Sequence, residues 1–100
     1  MPKINLTVSH RLSQEEALKR VQGLLEDLRS QYSDQISDLR EQWSNNICRF
    51  SFSAMGSSES GTLTVTPSSV ELSGDLPWAA SLFKGKIESA IKKQAETLLA

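Results

Sequence analysis

The chain has one cysteine and one histidine in 100 residues. Cys48 has no partner for an intrachain disulfide, and a zinc site built on His10 and Cys48 would need at least two further ligands from scattered carboxylates, so no metal or cofactor is expected. An excess of one charge is also missing. Eleven Lys plus Arg stand against 12 Asp plus Glu, a net charge of -1 with no block of like charges, and such a chain has no basic field to gather nucleic acid. No window approaches the roughly 18 to 20 apolar residues of a membrane-spanning helix. The opening Met-Pro-Lys-Ile-Asn-Leu lacks the apolar core of a signal peptide. These absences, with the lone thiol, predict a soluble cytoplasmic protein, and 100 residues suffice for one domain with one core between two layers. Glycine is sparse: Gly56 and Gly61 bracket serines rather than a strand-to-helix phosphate loop, which argues against nucleotide binding.

What is present is pattern. Ile4, Leu6 and Val8 alternate with polar residues at the period of a strand. Leu12-Ser13-Gln14-Glu15-Glu16-Ala17 fits a hydrophobic staple and a capping box formed by Ser13 and Glu16. From there Leu18, Val21, Leu24, Leu25, Leu28 and Tyr32 mark one face of a helix running to about Gln31, with Glu15–Lys19 and Glu16–Arg20 as i,i+4 pairs. Gly23 falls inside this helix, a costly position that points to close packing there. Residues 35–43 fit helical and strand spacing alike. A strand over 38–43 is favoured because Ser44-Asn45-Asn46 is turn chemistry and Cys48, Phe50, Phe52 and Ala54 then alternate with Arg49, Ser51 and Ser53, as in a hairpin. Residues 56–61 are expected to form a flexible serine-rich loop. Strands follow over 62–66 and 70–73. A closing helix is predicted from Pro77 to about Leu98, with Phe83, Ile87, Ala90, Ile91 and Leu98 on its apolar face. The order β-α-β-β-β-β-α, with short connections, predicts an α+β domain: one antiparallel sheet with two helices on one face.

No constellation of catalytic residues emerges. Cys48 is in phase with Phe50 and Phe52, where a cysteine acts as a small hydrophobe. His10 falls at the turn into the first helix, and no third group orients it toward a nucleophile. A Cys48 or serine hydrolase is therefore disfavoured, and no catalytic residue is assigned.

The segment from Asp75 to Glu88 is the most distinctive surface candidate. Trp78 and Phe83 stand at the entry of a helix bearing Lys84, Lys86, Lys92 and Lys93. One reading makes Phe83 core, Trp78 a cover for the core edge and the lysines solubilising groups. The other makes Trp78, Leu82, Lys84 and Lys86 a docking patch for an amphiphilic surface. On a helical wheel Leu82, Gly85 and Ser89 fall away from the Phe83 face and form a strip that permits close approach of a second copy, so a homodimer through this strip or a free sheet edge is expected.

Three segments carry a family resemblance. His10-Arg11-Leu12-Ser13-Gln14-Glu15-Glu16-Ala17, Gly61-Thr62-Leu63-Thr64-Val65 followed by Val70-Glu71-Leu72, and Phe83-Lys84-Gly85-Lys86-Ile87-Glu88 make the chain similar to the small bacterial polyhydroxyalkanoic acid system proteins, over most of its length. The last segment is the most specific. Met55 to Ser60 departs from the family pattern as a longer loop. The resemblance implies a non-enzymatic accessory role at polyhydroxyalkanoate granules or their proteins, and it brings no catalytic residues with it. The alternative is a carrier of a small hydrophobic ligand, held in a cavity lined by Phe50, Phe52, Leu63, Val65, Leu72 and Phe83 between sheet and closing helix.

Overall fold

The computed structural model describes residues 3–31, 33–34, 37–54, 56–76 and 78–100; the side chains of Leu28, Ala54 and residues 78–80 also lie outside the description. Strand β1 (Lys3–Ser9) leads to helix α1 (Gln14–Gln31), then to strands β2 (Ser37–Ser44), β3 (Ile47–Ala54), β4 (Ser57–Val65) and β5 (Ser69–Asp75). A 3₁₀ helix (Trp78–Phe83) follows, and helix α2 (Lys84–Leu98) closes the fold. The five strands form one sheet in the order β1-β5-β4-β3-β2, every pairing antiparallel. The α+β class and the order of elements are those the sequence predicts.

Register explains the core. Leu6 pairs with Leu72, Leu72 with Leu63, Leu63 with Cys48, and Cys48 with Trp43. Cross-strand partners share a face, so this apolar row crosses all five strands beneath the helices. One row further along, Val8, Val70 and Val65 pack against Ala17 and Val21 of α1 and against Leu99. The opposite face carries Asn5, Thr7, Ser9, Glu71, Ser73, Thr62, Thr64, Arg49 and Gln42, the polar half of each alternation.

Helix α1 starts where the cap predicts. The Ser13 hydroxyl accepts the Glu16 amide at 3.1 Å, while the Glu16 carboxylate turns forward to Arg20 Nε at 3.1 Å instead of completing the box. Gly23 is exposed, and a Cβ there would meet nothing within 4 Å. The close packing expected at this glycine is absent. Tyr32 and Ile36 lie outside the described residues.

Residues 57–60 are strand, not loop. Ser57 to Ser60 pair with Ala54 to Ser51, and the turn carries Gly56 at φ +79°, a conformation that favours glycine. Backbone pairing holds this stretch although its side chains, mostly serine, show no apolar alternation. The stretch expected to be a longer loop is therefore strand over 57–60, while Met55 lies outside the described residues. Next to it, a Cβ on Gly61 would lie 2.5 Å from Phe50 Cζ and 2.7 Å from the Ser73 carbonyl oxygen, so the Phe50 ring takes the place of a side chain on β4.

The closing helix starts later than predicted. Residues from Trp78 to Phe83 wind as 3₁₀ helix and α2 begins at Lys84; Pro77 lies outside the described residues. Three residues per turn, rather than 3.6, shift the phase of everything before Lys84 relative to the helix that follows.

Candidate functional site

That phase shift decides where the aromatic entry points. Phe83 occupies the N-cap position of α2 with φ -109° and ψ 18°, and its side chain is 55% exposed rather than core. Beside it Leu82 is 88% exposed. Lys84, Gly85, Lys86 and Ser89 are exposed as well, so the candidate residues Leu82, Lys84, Gly85, Lys86 and Ser89 all lie on the surface at one end of α2. The side chain of Trp78 lies outside the described residues.

This helix end is built differently from that of α1. Its N-cap residue, Phe83, makes no side-chain cap hydrogen bond, no acidic residue lies in its first turn, and Lys84 and Lys86 occupy that turn instead. Cations at a helix N-terminus oppose the macrodipole. The two lysines therefore add nothing to the stability of α2 by this route, and they place two cations beside the exposed Leu82 and Phe83.

The far end of α2 is anchored. Arg20 Nη1 donates to the carbonyls of Leu98 and Ala100, each at 3.0 Å, and Leu99 is buried. Between the helices and the sheet lies a narrow, partly enclosed apolar cavity of about 110 Å³. Leu63 and Leu72 line it, as expected, together with Leu6, Leu24, Ile91 and Leu98 among others. Phe50, Phe52, Val65 and Phe83 do not. The two rings of Phe50 and Phe52 stack on each other with centroids 6.3 Å apart, Val65 is fully buried in the core, and Phe83 faces solvent.

His10 and Cys48 are both accounted for by the fold. The His10 Nε2–H donates to the Thr66 carbonyl at 3.0 Å, and Nδ1 accepts the Leu12 amide at 3.1 Å. Both ring nitrogens are engaged in tying the end of β1 to the β4–β5 turn and to the start of α1. Cys48 is completely buried. Burial, and secondarily the Glu41 carboxylate, push its thiol above the ordinary 9.0, against a smaller opposing effect from a backbone hydrogen bond with Gln42. A thiol held neutral in this way is a poor nucleophile. Among the described residues no group of three or more His, Cys, Asp or Glu is placed to hold a metal ion, and no helix is long and apolar enough to cross a membrane.

Two features escaped the sequence pattern. Glu59 is 3% exposed; its Oε1 accepts the Ser57 hydroxyl at 2.9 Å while Oε2 has no hydrogen-bond partner. Only the pairing of Glu59 with Phe52 reveals that this carboxylate faces the helix side of the sheet. The second is an open groove of about 450 Å³ between α1 and α2, lined by Leu24, Ala90, Lys93, Gln94, Thr97 and Leu98, which requires knowing how the helices lie.

Residues 4–99 match the family model described as putative polyhydroxyalkanoic acid system protein. The chain belongs to this family. The match to the polyhydroxyalkanoic acid system protein family runs from within β1 to the end of α2, across the whole α+β unit. Neither a curated protein nor a solved structure matches the chain.

Proposed function

We propose that this polyhydroxyalkanoic acid system protein is a non-enzymatic cytoplasmic accessory module that docks on the polyhydroxyalkanoate granule surface, or on its proteins, through the start of α2. The observation that carries this reading is the adjacency of two exposed apolar side chains, Leu82 and Phe83, to exposed Lys84 and Lys86. Each apolar side chain gains about 1.5–3 kcal/mol if fully buried against an apolar phase. The lysines and the positive end of the helix then face anionic groups at the boundary, a contribution that salt screens. The engagement of both His10 nitrogens and the burial of Cys48 support a role without catalysis.

Co-sedimentation with isolated granules tests this. Leu82→Ser combined with Phe83→Ser should cut binding at least tenfold without unfolding the protein, since neither side chain is in the core. Lys84→Ala should cost less, and its effect should vanish at high salt. Trp78→Ala should also outweigh Lys84→Ala if the indole shares the patch. A double variant that co-sediments like the parent removes the docking surface from this end of α2.

Homodimerisation is a second use of the same helix. Gly85 has open space where a Cβ would be, so packing within the chain does not require its lack of a side chain, and with Leu82 and Ser89 it offers a strip that another backbone can approach closely. Sedimentation showing a monomer at high micromolar concentration counts against this pairing.

A further inference from the structure

The groove between α1 and α2 and the cavity beneath it share three lining residues, Leu24, Gln94 and Leu98. These residues are the partition between an open surface cleft of about 450 Å³ and a more enclosed apolar space of about 110 Å³. The cleft alone is within the 300–1,000 Å³ typical of ligand sites, and the cavity is somewhat smaller than the ~150 Å³ space that accepts benzene. The partition is thin. Leu24 and Leu98 are only half-buried, and α2, which supplies most of the cleft wall, has no buried residue.

Apart from Gln94, which also borders the cavity, the polar groups stand at the rim of the cleft. Lys93, Gln94 and Thr97 line the cleft, and all three are exposed. The Thr97 hydroxyl is turned back to the Lys93 carbonyl at 3.1 Å, which leaves the Lys93 ammonium as the charged group of the cleft. No carboxylate lines it, and the nearby Arg20 is engaged by Glu16, Leu98 and Ala100.

We propose that this composite cleft binds a single-chain aliphatic carboxylate, with its carboxylate on Lys93 and its chain passing between Leu24 and Leu98 so that the tail enters the cavity. The charge at the rim selects an anionic head, and the apolar depth selects an unbranched chain. The site lies at the anchored end of α2, away from Leu82 and Phe83, and does not depend on the granule-docking reading.

Decanoate, titrated below its aggregation concentration into the full-length protein without granules and followed by methyl NMR and calorimetry, tests the assignment, with 1-decanol as the uncharged control. Saturable binding with shifts at the Leu24 and Leu98 methyls is expected. Lys93→Glu should weaken decanoate about tenfold and leave 1-decanol unchanged, whereas Ala90→Trp, which fills the cleft from an exposed position, should weaken both. If Ala90→Trp fails to fold by circular dichroism, Thr97→Trp obstructs the same cleft. Absence of saturable binding, shifts confined to Leu82 and Phe83, or parental decanoate affinity in either variant overturns the proposal.

Discussion

Helix α1 opens with a serine cap and two glutamates, carries Arg29 in its last turn and buries Ala17 and Val21 completely or nearly so. Helix α2 opens with Phe83 in the cap position and two lysines in its first turn, and none of its residues is fully buried. Both sequences show the same helical spacing of apolar residues. The difference is in what the ends and the faces meet: α1 has charges that suit its dipole and a face pressed on valines of the sheet, while α2 is tied down at its C-terminal end and presents its N-terminal end to solvent. An amphipathic period reports that a helix has an apolar face, not how deeply that face is buried. A helix whose own stability is left unimproved at one end is where a partner has something to add, and all three proposed contacts of this protein use α2.

The sharpest way to break the comparison is by truncation of matched positions. Val21→Ala should lower unfolding free energy by about 2 kcal/mol or more, because it leaves a cavity in close-packed surroundings, and Ile87→Ala, half-exposed on α2, should cost less than half as much in denaturant titration. Equal losses would show that α2 is held as firmly as α1.

Caps come next in size. Ser13→Ala should destabilise by about 1 kcal/mol, whereas Phe83→Asp should stabilise by up to about 1 kcal/mol, since it supplies a missing acceptor and a charge of the right sign at the α2 N-terminus. If Phe83→Asp destabilises the free protein, Phe83 contributes to the fold after all.

Glycine separates the helices by a smaller margin. Gly23→Ala, in open space within a helix capped at its start, should add roughly 0.5–1 kcal/mol. Gly85→Ala, in the first turn of α2 where fraying is easiest, should add less. Thermal shifts of the two variants give the ranking directly.

The smallest effect belongs to Cys48, on the sheet face that the helices cover. Its pKa is raised on folding, so between the ordinary 9.0 and the folded value the unfolded chain has already lost a proton that the native protein keeps. Stability must therefore fall with rising pH in that window and be unaffected by this group below it. Measured against Cys48→Ala, the parent's advantage should be constant up to about pH 8 and shrink above pH 9, on the thiol's ordinary ionisation range. A difference that stays flat to pH 11 would mean that the thiol ionises alike in both states.

Much of the fold was legible because it is local. The period-two alternation of Ile4, Leu6 and Val8, the Ser13 cap and the Asn45-Asn46 turn each act within a few residues, and together they are enough for the element order and the α+β class. The family assignment was legible too, since residues spread over 4–99 carry it. The serine-rich strand over 57–60 was not, because its stability comes from pairing with β3 rather than from its own side chains. Nor was the exposure of Phe83, which follows from six residues of 3₁₀ winding that shift the phase of the entry segment. The burial of Glu59, the partition of Leu24 and Leu98 between cleft and cavity, and the free end of α2 beside an anchored one are relations between segments distant along the chain. Residue type and spacing determine what each segment can become alone; the depth at which a side chain is buried, and the neighbour it meets there, are set only when the whole sheet and both helices have packed.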